Sequence, residues 1–159
     1  MSVKLRKARV SDYSNFNNEF LELMKIHEKN LPDIFQAPDG TDFPAEYFER
    51  LIDCKEAHFI VAYDGDLFAG FIIAFRQKAA DSPMLIPRDY IYIEFIGVNI
   101  NYRNKGIGHK LLAKVENWAK KQNIQQLELK VWGFNDNAIN FYKSIGYGTL
   151  NTMLRKIIN

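Results

Sequence analysis

The chain has 159 residues, of which 47% are hydrophobic, 14% aromatic and 25% charged, with a formal net charge of +2. That length suits one ordinary domain with a proper core, and the composition excludes a disordered chain or a disulfide scaffold. The balanced charge gives no bulk electrostatic case for nucleic acid, the single Cys54 cannot close a disulfide within the chain, no Cys/His cluster has metal-ligand spacing, and no apolar run reaches membrane-spanning length.

Met1-Ser2-Val3-Lys4-Leu5-Arg6-Lys7 lacks the apolar core of a signal peptide, so a soluble cytoplasmic protein is the expectation. Val3 to Val10 alternates weakly and reads as a first strand. Ser11 or Asp12 can cap a helix whose apolar positions Phe16, Phe20, Leu23, Met24 and Ile26 follow helical spacing. Asn30 to Gly40 holds prolines, aspartates and a glycine and reads as a loop, apolar through Leu31, Ile34 and Phe35. Thr41 or Asp42 opens a second short helix with Phe43, Tyr47, Phe48, Leu51 and Ile52. His58 to Tyr63, the Asp64-Gly65 turn and Leu67 to Phe75 read as a β-hairpin.

Ala79 to Arg88, with Pro83 and Pro87, is a loop. Ile91 to Val98 is rich in β-branched and aromatic residues and reads as a strand. Arg103-Asn104-Lys105-Gly106-Ile107-Gly108 then leads into a helix running to about Gln122. Gln126 to Val131 is a further strand, completing a βαβ unit with parallel strands and a right-handed crossover. Asn137 to Ser144 is a short helix stopped by Gly146, and Tyr147 to Ile157 is a final strand. No linker, repeat or low-complexity segment interrupts this order, so residues 1–159 read as one α+β domain.

The turn from strand to helix at 103–108 is the most informative stretch. Glycine lets the backbone turn sharply and approach a ligand, and the first N–H groups of a helix lack partners at the positive end of its dipole. Flanked by Arg103 and Lys105, it reads as an anion cradle, and the alternative is a tight turn that binds nothing. The dinucleotide fingerprint requires a third glycine where Leu111 stands, and no Gly-Lys-Ser/Thr follows to make a P-loop.

What fits is Val98-x-x-x-x-Arg103-x-x-Gly106-x-Gly108, followed by Asn135-x-x-Ala138-x-x-x-Tyr142 and Gly146-Tyr147. This pattern resembles the GNAT superfamily of acyl-CoA-dependent N-acetyltransferases, closely over Tyr90 to Tyr147 and elsewhere in element order. The resemblance implies a mixed α/β fold: a mostly antiparallel twisted sheet of six to seven strands with one splayed parallel pair, flanked by about four helices. It also implies acetyl-CoA as co-substrate, with its pyrophosphate on the N–H groups of Arg103, Asn104, Lys105, Gly106, Ile107 and Gly108. His109, in the helix's first turn, either approaches a phosphate or is a plain surface histidine. The pantetheine arm would lie against backbone groups of Ile96 and Val98. Gly97 either eases a bulge there or packs closely against a helix.

By the same resemblance Tyr142 is the general acid for the coenzyme A sulfur, with a buried core tyrosine as the alternative. Asn135 would hydrogen-bond the coenzyme arm, cap the helix, or both. Glu94, inside an apolar strand, is the candidate base. Burial beside Tyr92, Phe95 and Ile96 would raise its pKa, and alternation gives it a face shared with Tyr92 and Ile96. The alternative for Glu94 is a structural ion pair. The acceptor wall would include His27, Asp33, Ile34, Phe35, Tyr90, Tyr92 and Trp132, with Asp33, Asp39, Asp42 and Glu46 giving an acidic rim. The expectation is acetyl transfer to a primary amine of a small molecule or peptide, directly within a ternary complex, with no metal, nucleic acid or membrane partner and with a homodimer left open. A non-catalytic acyl-CoA-binding or sensing module is the alternative.

Overall fold

A computed structural model describes residues 2–36 and 42–158. One compact unit ends at Leu129 and a second begins at Lys130. In the first, β1 (Val3–Lys7), α1 (Tyr13–Asn30), α2 (Ala45–Asp53), β2 (Ala57–Asp64), β3 (Leu67–Lys78), β4 (Asp89–Val98), α3 (Ile107–Lys121) and β5 (Leu127–Leu129) follow in order. The sheet order is β1-β2-β3-β4-β5, antiparallel except for the parallel pair β4 and β5. The second unit contains α4 (Asp136–Ser144).

Period-two alternation places helices on both faces of this sheet. Phe59 and Val61 of β2 and Phe71 and Ile73 of β3 join Phe16 of α1 and Phe48 and Leu51 of α2 in one buried cluster. Phe16 sits at its centre, with ring centroids 4.8 Å from Phe71, 5.1 Å from Phe48 and 5.1 Å from Phe59. The intervening residues Ile60, Ala62, Ile72 and Ala74 are also buried and face α3, whose apolar stripe is Ile107, Leu111, Leu112, Val115 and Ala119. On that face the His58 ring stacks on Trp118 with centroids 4.8 Å apart.

Local chemistry explains most boundaries. Asp12 precedes α1 without capping it through its side chain. Its buried carboxylate instead accepts two bonds of 2.7 Å from Arg6, one of 2.7 Å from the Arg9 N–H and one of 2.8 Å from the Tyr63 hydroxyl. Burial is the strongest influence on Asp12 and pushes its pKa up, but these donors outweigh it and hold the carboxyl below its usual range. The expected opening of α2 at Thr41 or Asp42 is replaced by a start at Ala45 behind Pro44; Thr41 lies outside the described residues, and Asp42 accepts a 2.7 Å bond from Asn17. Proline tolerates this position because the N–H it lacks would find no partner within the helix.

The sheet has five strands, not six to seven. The expected strand over Tyr147 to Ile157 does not form, and the run 148–158 carries neither helix nor ladder. Its apolar residues Leu150, Met153, Leu154, Ile157 and Ile158 are spaced by three and four, so they mark no single face of a strand. Strand β5 is likewise shorter than the expected Gln126 to Val131.

Candidate functional site

Strand β4 carries the first part of the site. It pairs with β5 only through Ile91, Tyr92 and Ile93, then continues to Val98 with β3 as its neighbour. The β3 register jumps from Ala74↔Ile93 to Ile73↔Phe95, leaving Glu94 as the extra residue of a bulge. Ala74 lies on the α3 face and Ile73 in the phenylalanine cluster, so the bulge exchanges the two faces of β4 beyond Glu94. Ile96, opposite Ile72, therefore faces α3 and does not share a face with Tyr92, which corrects the alternation expected from sequence. Glu94 is exposed, so the burial expected for its carboxylate is absent. Its neighbour Tyr92 has a raised pKa, first through burial and then through the negative charge of Glu94.

The bulge does not fall at Gly97. A Cβ there would meet Cε1 of Phe71 at 2.5 Å, so Gly97 is the floor on which a cross-strand phenylalanine rests, and no helix is involved. Ile96 pairs with Ile72 and Val98 with Gly70, which sets the main chain of β4 leading out of the sheet.

The cradle follows within a few residues. A short turn of helix, Ile100–Tyr102, leads to Arg103, whose Nε donates to the Val98 carbonyl at 3.1 Å. Asn104 and Gly106 both adopt left-handed backbone, at φ 59° and 76°. Gly106 caps α3, and the first helical N–H to find its acceptor is that of Lys110, on the Gly106 carbonyl at 3.1 Å. The N–H groups just before it in the first turn have no acceptor in the helix ladder and lie at the positive end of its dipole. Arg103, Asn104, Lys105, Gly106 and His109 are exposed, while Ile107 anchors the turn in the core. Lys105 Nζ lies 5.5 Å from the centre of the Tyr102 ring. A nest of main-chain donors, reached past glycine and flanked by two cations, fits a pyrophosphate.

Asn135 and Tyr142 belong to the second unit. The Asn135 side chain accepts from the Ala138 N–H at 3.1 Å, so it caps α4 as one of its expected roles required. Tyr142 is buried, 5.4 Å from Phe141 and 5.5 Å from Tyr147 between ring centroids. Burial, and then the neighbouring Tyr147, push its phenol up to about 12.

The expected acceptor wall is dispersed among the described residues. His27 packs its ring 5.1 Å from Phe35, Tyr90 lies under Arg88, Asp33 and Ile34 sit exposed just after α1, and Glu46 is exposed in the first turn of α2. Trp132 is exposed in the second unit, and Asp39 lies outside the described residues. Sequence reasoning missed a cavity of about 540 Å³ in the first unit, lined by Asn15, Asn18, Glu19 and Glu22 of α1, Leu67 and Phe68 of β3, and Asn99, Asn101 and Tyr102. Glu19 is buried and accepts from Asn99 Nδ2 at 2.9 Å. Burial raises its pKa, partly offset by Asn99 and by the charge of Arg103. The available signal was positional: Glu19 stands between Phe16, Phe20 and Leu23 on the inward stripe of α1, where a carboxylate needs a reason.

Comparison with known proteins agrees with this geometry. The family model described as "Acetyltransferase (GNAT) family" matches residues 20–147. The L-ornithine N5-acetyltransferase NATA1 of Arabidopsis thaliana is 37% identical over 128 residues, which is 80% of this chain and 47% of that protein. The chain thus spans about half the length of that curated relative. Among solved structures, a mutant of the BH1408 protein of Bacillus halodurans superposes with a TM-score of 0.93 at 22% identity, covering 98% of this chain and 99% of that one. The structure of AAC(6')-Iy with the bisubstrate analog CoA-S-monomethyl-acetylneamine gives a TM-score of 0.73 at 12% identity, covering 100% and 99%. With the cradle, the parallel pair and the family match in agreement, this chain belongs to the GNAT acetyltransferase family.

Proposed function

We propose that the protein is an acetyl-CoA-dependent N-acetyltransferase acting on a primary amine of a small molecule or peptide by direct transfer. One observation carries the reading: β4 parts from β5 after Ile93 and leads within a few residues to a left-handed glycine turn that opens a helix. That arrangement offers main-chain groups along an extended ligand and a cluster of N–H donors at its phosphorylated end. The relatives' printed names support an amine acceptor, one being an ornithine acetyltransferase and one a structure with an acetylneamine analog.

When bound, acetyl-CoA supplies an acyl thioester open to attack by an amine. The chain's own groups then have separate tasks. The N–H groups of Gly106, Ile107, Gly108 and His109 hold the pyrophosphate, with Arg103 and Lys105 adding positive charge. The main chain of Ile96 and Val98 aligns the arm, and the Val98 N–H donates to the carbonyl oxygen as negative charge builds there. The bulge directs the Glu94 carboxylate outward to take the amine proton, directly or through water. The Tyr142 phenol gives its proton to the departing sulfur, and the Asn135 amide holds the arm.

The test is thiol release from acetyl-CoA across polyamines, amino acids, aminoglycosides and N-terminal peptides, alongside thermal shift. Turnover with at least one amine is the expected result. Absence of any thermal shift with acetyl-CoA would falsify the coenzyme assignment. A shift with no turnover on any amine would replace catalysis by acyl-CoA sensing.

A further inference from the structure

Beyond α4 the chain presents an apolar run to water. Leu150 is 73% exposed, Met153 88%, Leu154 89%, Ile157 70% and Ile158 87%. Soluble monomers rarely leave so much contiguous aliphatic surface uncovered. Drawn out as a strand, Leu150, Leu154 and Ile158 would fall on one face and Met153 and Ile157 on the other. A strand apolar on both faces is suited to the interior of a sheet, with cover above and below.

The start of the run is fixed. The Gly146 N–H donates to the Lys143 carbonyl at 3.2 Å and the Tyr147 N–H to the Tyr142 carbonyl at 3.0 Å, with Gly146 left-handed at φ 96°. This closes α4 and launches the chain in a set direction. Residues 148–158 then carry no ladder of their own.

The first unit holds the complementary feature. Strand β5 is the last strand of the sheet, with β4 on one side and no ladder on the other among the described residues. It is three residues long, and all three are half-buried. A short parallel edge strand has little stability alone and offers a row of main-chain donors and acceptors.

We propose that residues 148–158 are an exchange arm, and that two copies of this chain pair reciprocally, each arm adding as a strand to the free edge of β5 in the other. A second copy is the fitting occupant because arm and edge occur on the same chain, so a twofold pair uses both at once. The areas agree as well. Covering the five aliphatic residues removes on the order of 700 Å² per copy and about 1,400 Å² over the pair, within the usual range for specific, stable interfaces. The arm supplies apolar side chains to both faces while its main chain completes the ladder, which is strand addition between identical partners.

The experiment follows sedimentation and amide hydrogen exchange of the full chain through a roughly hundredfold dilution series. The expected result is a dimer mass at high concentration with slow exchange over residues 149–157, both lost together on dilution. The double substitution Leu154→Asp with Ile157→Asp should weaken dimerisation by roughly a hundredfold or more while leaving the circular dichroism spectrum intact. A monomer at every concentration overturns the proposal. So does protection of the arm that ignores dilution, since the arm then lies on its own chain. A dimer that survives the double substitution overturns it too. Should the double variant fail to fold, the dilution series on the unaltered chain decides alone.

Discussion

Gly97 and Phe71 illustrate how one absent side chain fixes a neighbour. Phe71 is fully buried and packs edge-on against Phe16, so it has no room to retreat from a Cβ placed 2.5 Å away. Gly97→Ala should therefore cost about 1–3 kcal/mol and lower the melting temperature by several degrees, measured by thermal denaturation. Shortening Phe71 to Leu in the same chain should return part of that loss, a coupling that a double-mutant cycle reads directly. Tyr142 poses a different question, because burial lifts its phenol to about 12. It keeps its proton throughout the neutral range and can serve only as a donor there. Tyr142→Phe should lower kcat by about a hundredfold or more and leave acetyl-CoA binding unchanged, by steady-state kinetics and calorimetry. The kcat profile should show no alkaline limb from this residue until pH approaches 12. Full turnover in the phenylalanine variant would remove Tyr142 from the proposed chemistry.

Among the elements, β4, the cradle and α3 were the most legible in sequence because their signals are local. Two glycines, a β-branched run and helical apolar spacing each act within a few residues of themselves. The bulge at Glu94 was not legible, since register with β3 is decided by which side chains each face must bury, and β4 alone does not contain that information. For the same reason the shared face of Glu94 and Ile96 was misread. The expected last strand failed through period: Leu150, Met153, Leu154, Ile157 and Ile158 are too unevenly spaced to face one core. Within the site, Arg103 through Gly108 could be read off the chain, whereas the burial of Glu19 against Asn99 joins residues 80 apart. The cradle also makes its own prediction. Gly106 has open space around it but a left-handed backbone, so Gly106→Val meets a conformational penalty of about 1–2 kcal/mol and no clash. Acetyl-CoA affinity by calorimetry should fall at least tenfold while the helical signal persists.

At the scale of the whole molecule, pH reaches the fold through a sheet-to-helix contact. His58 stacks on Trp118 across the interface of β2 and α3, and its pKa falls from 6.5 to about 4. Burial is the main cause, followed by the positive charges of Lys7, Lys114 and Lys121. Between those two values the unfolded chain takes up a proton that the folded chain refuses. Stability is thus full above pH 6.5 and declines as pH falls toward 4. Asp12 adds to this at lower pH: its depressed carboxyl contributes above the unfolded carboxylate range and is lost as acid protonates it in the fold. Urea titrations across pH should show the first decline, and His58→Gln should flatten it. The parting of β4 from β5 has a consequence for how sequence change is tolerated. Beyond Ile93 the groups facing the gap belong to the main chain, and every residue except proline presents the same N–H and C=O. Substitution of Ile96 or Val98 by another β-branched residue leaves those groups as they were, so this stretch can drift while the ligand it aligns stays the same. The capacity to change partners then resides in the side chains around it, which are free to be rewritten one at a time.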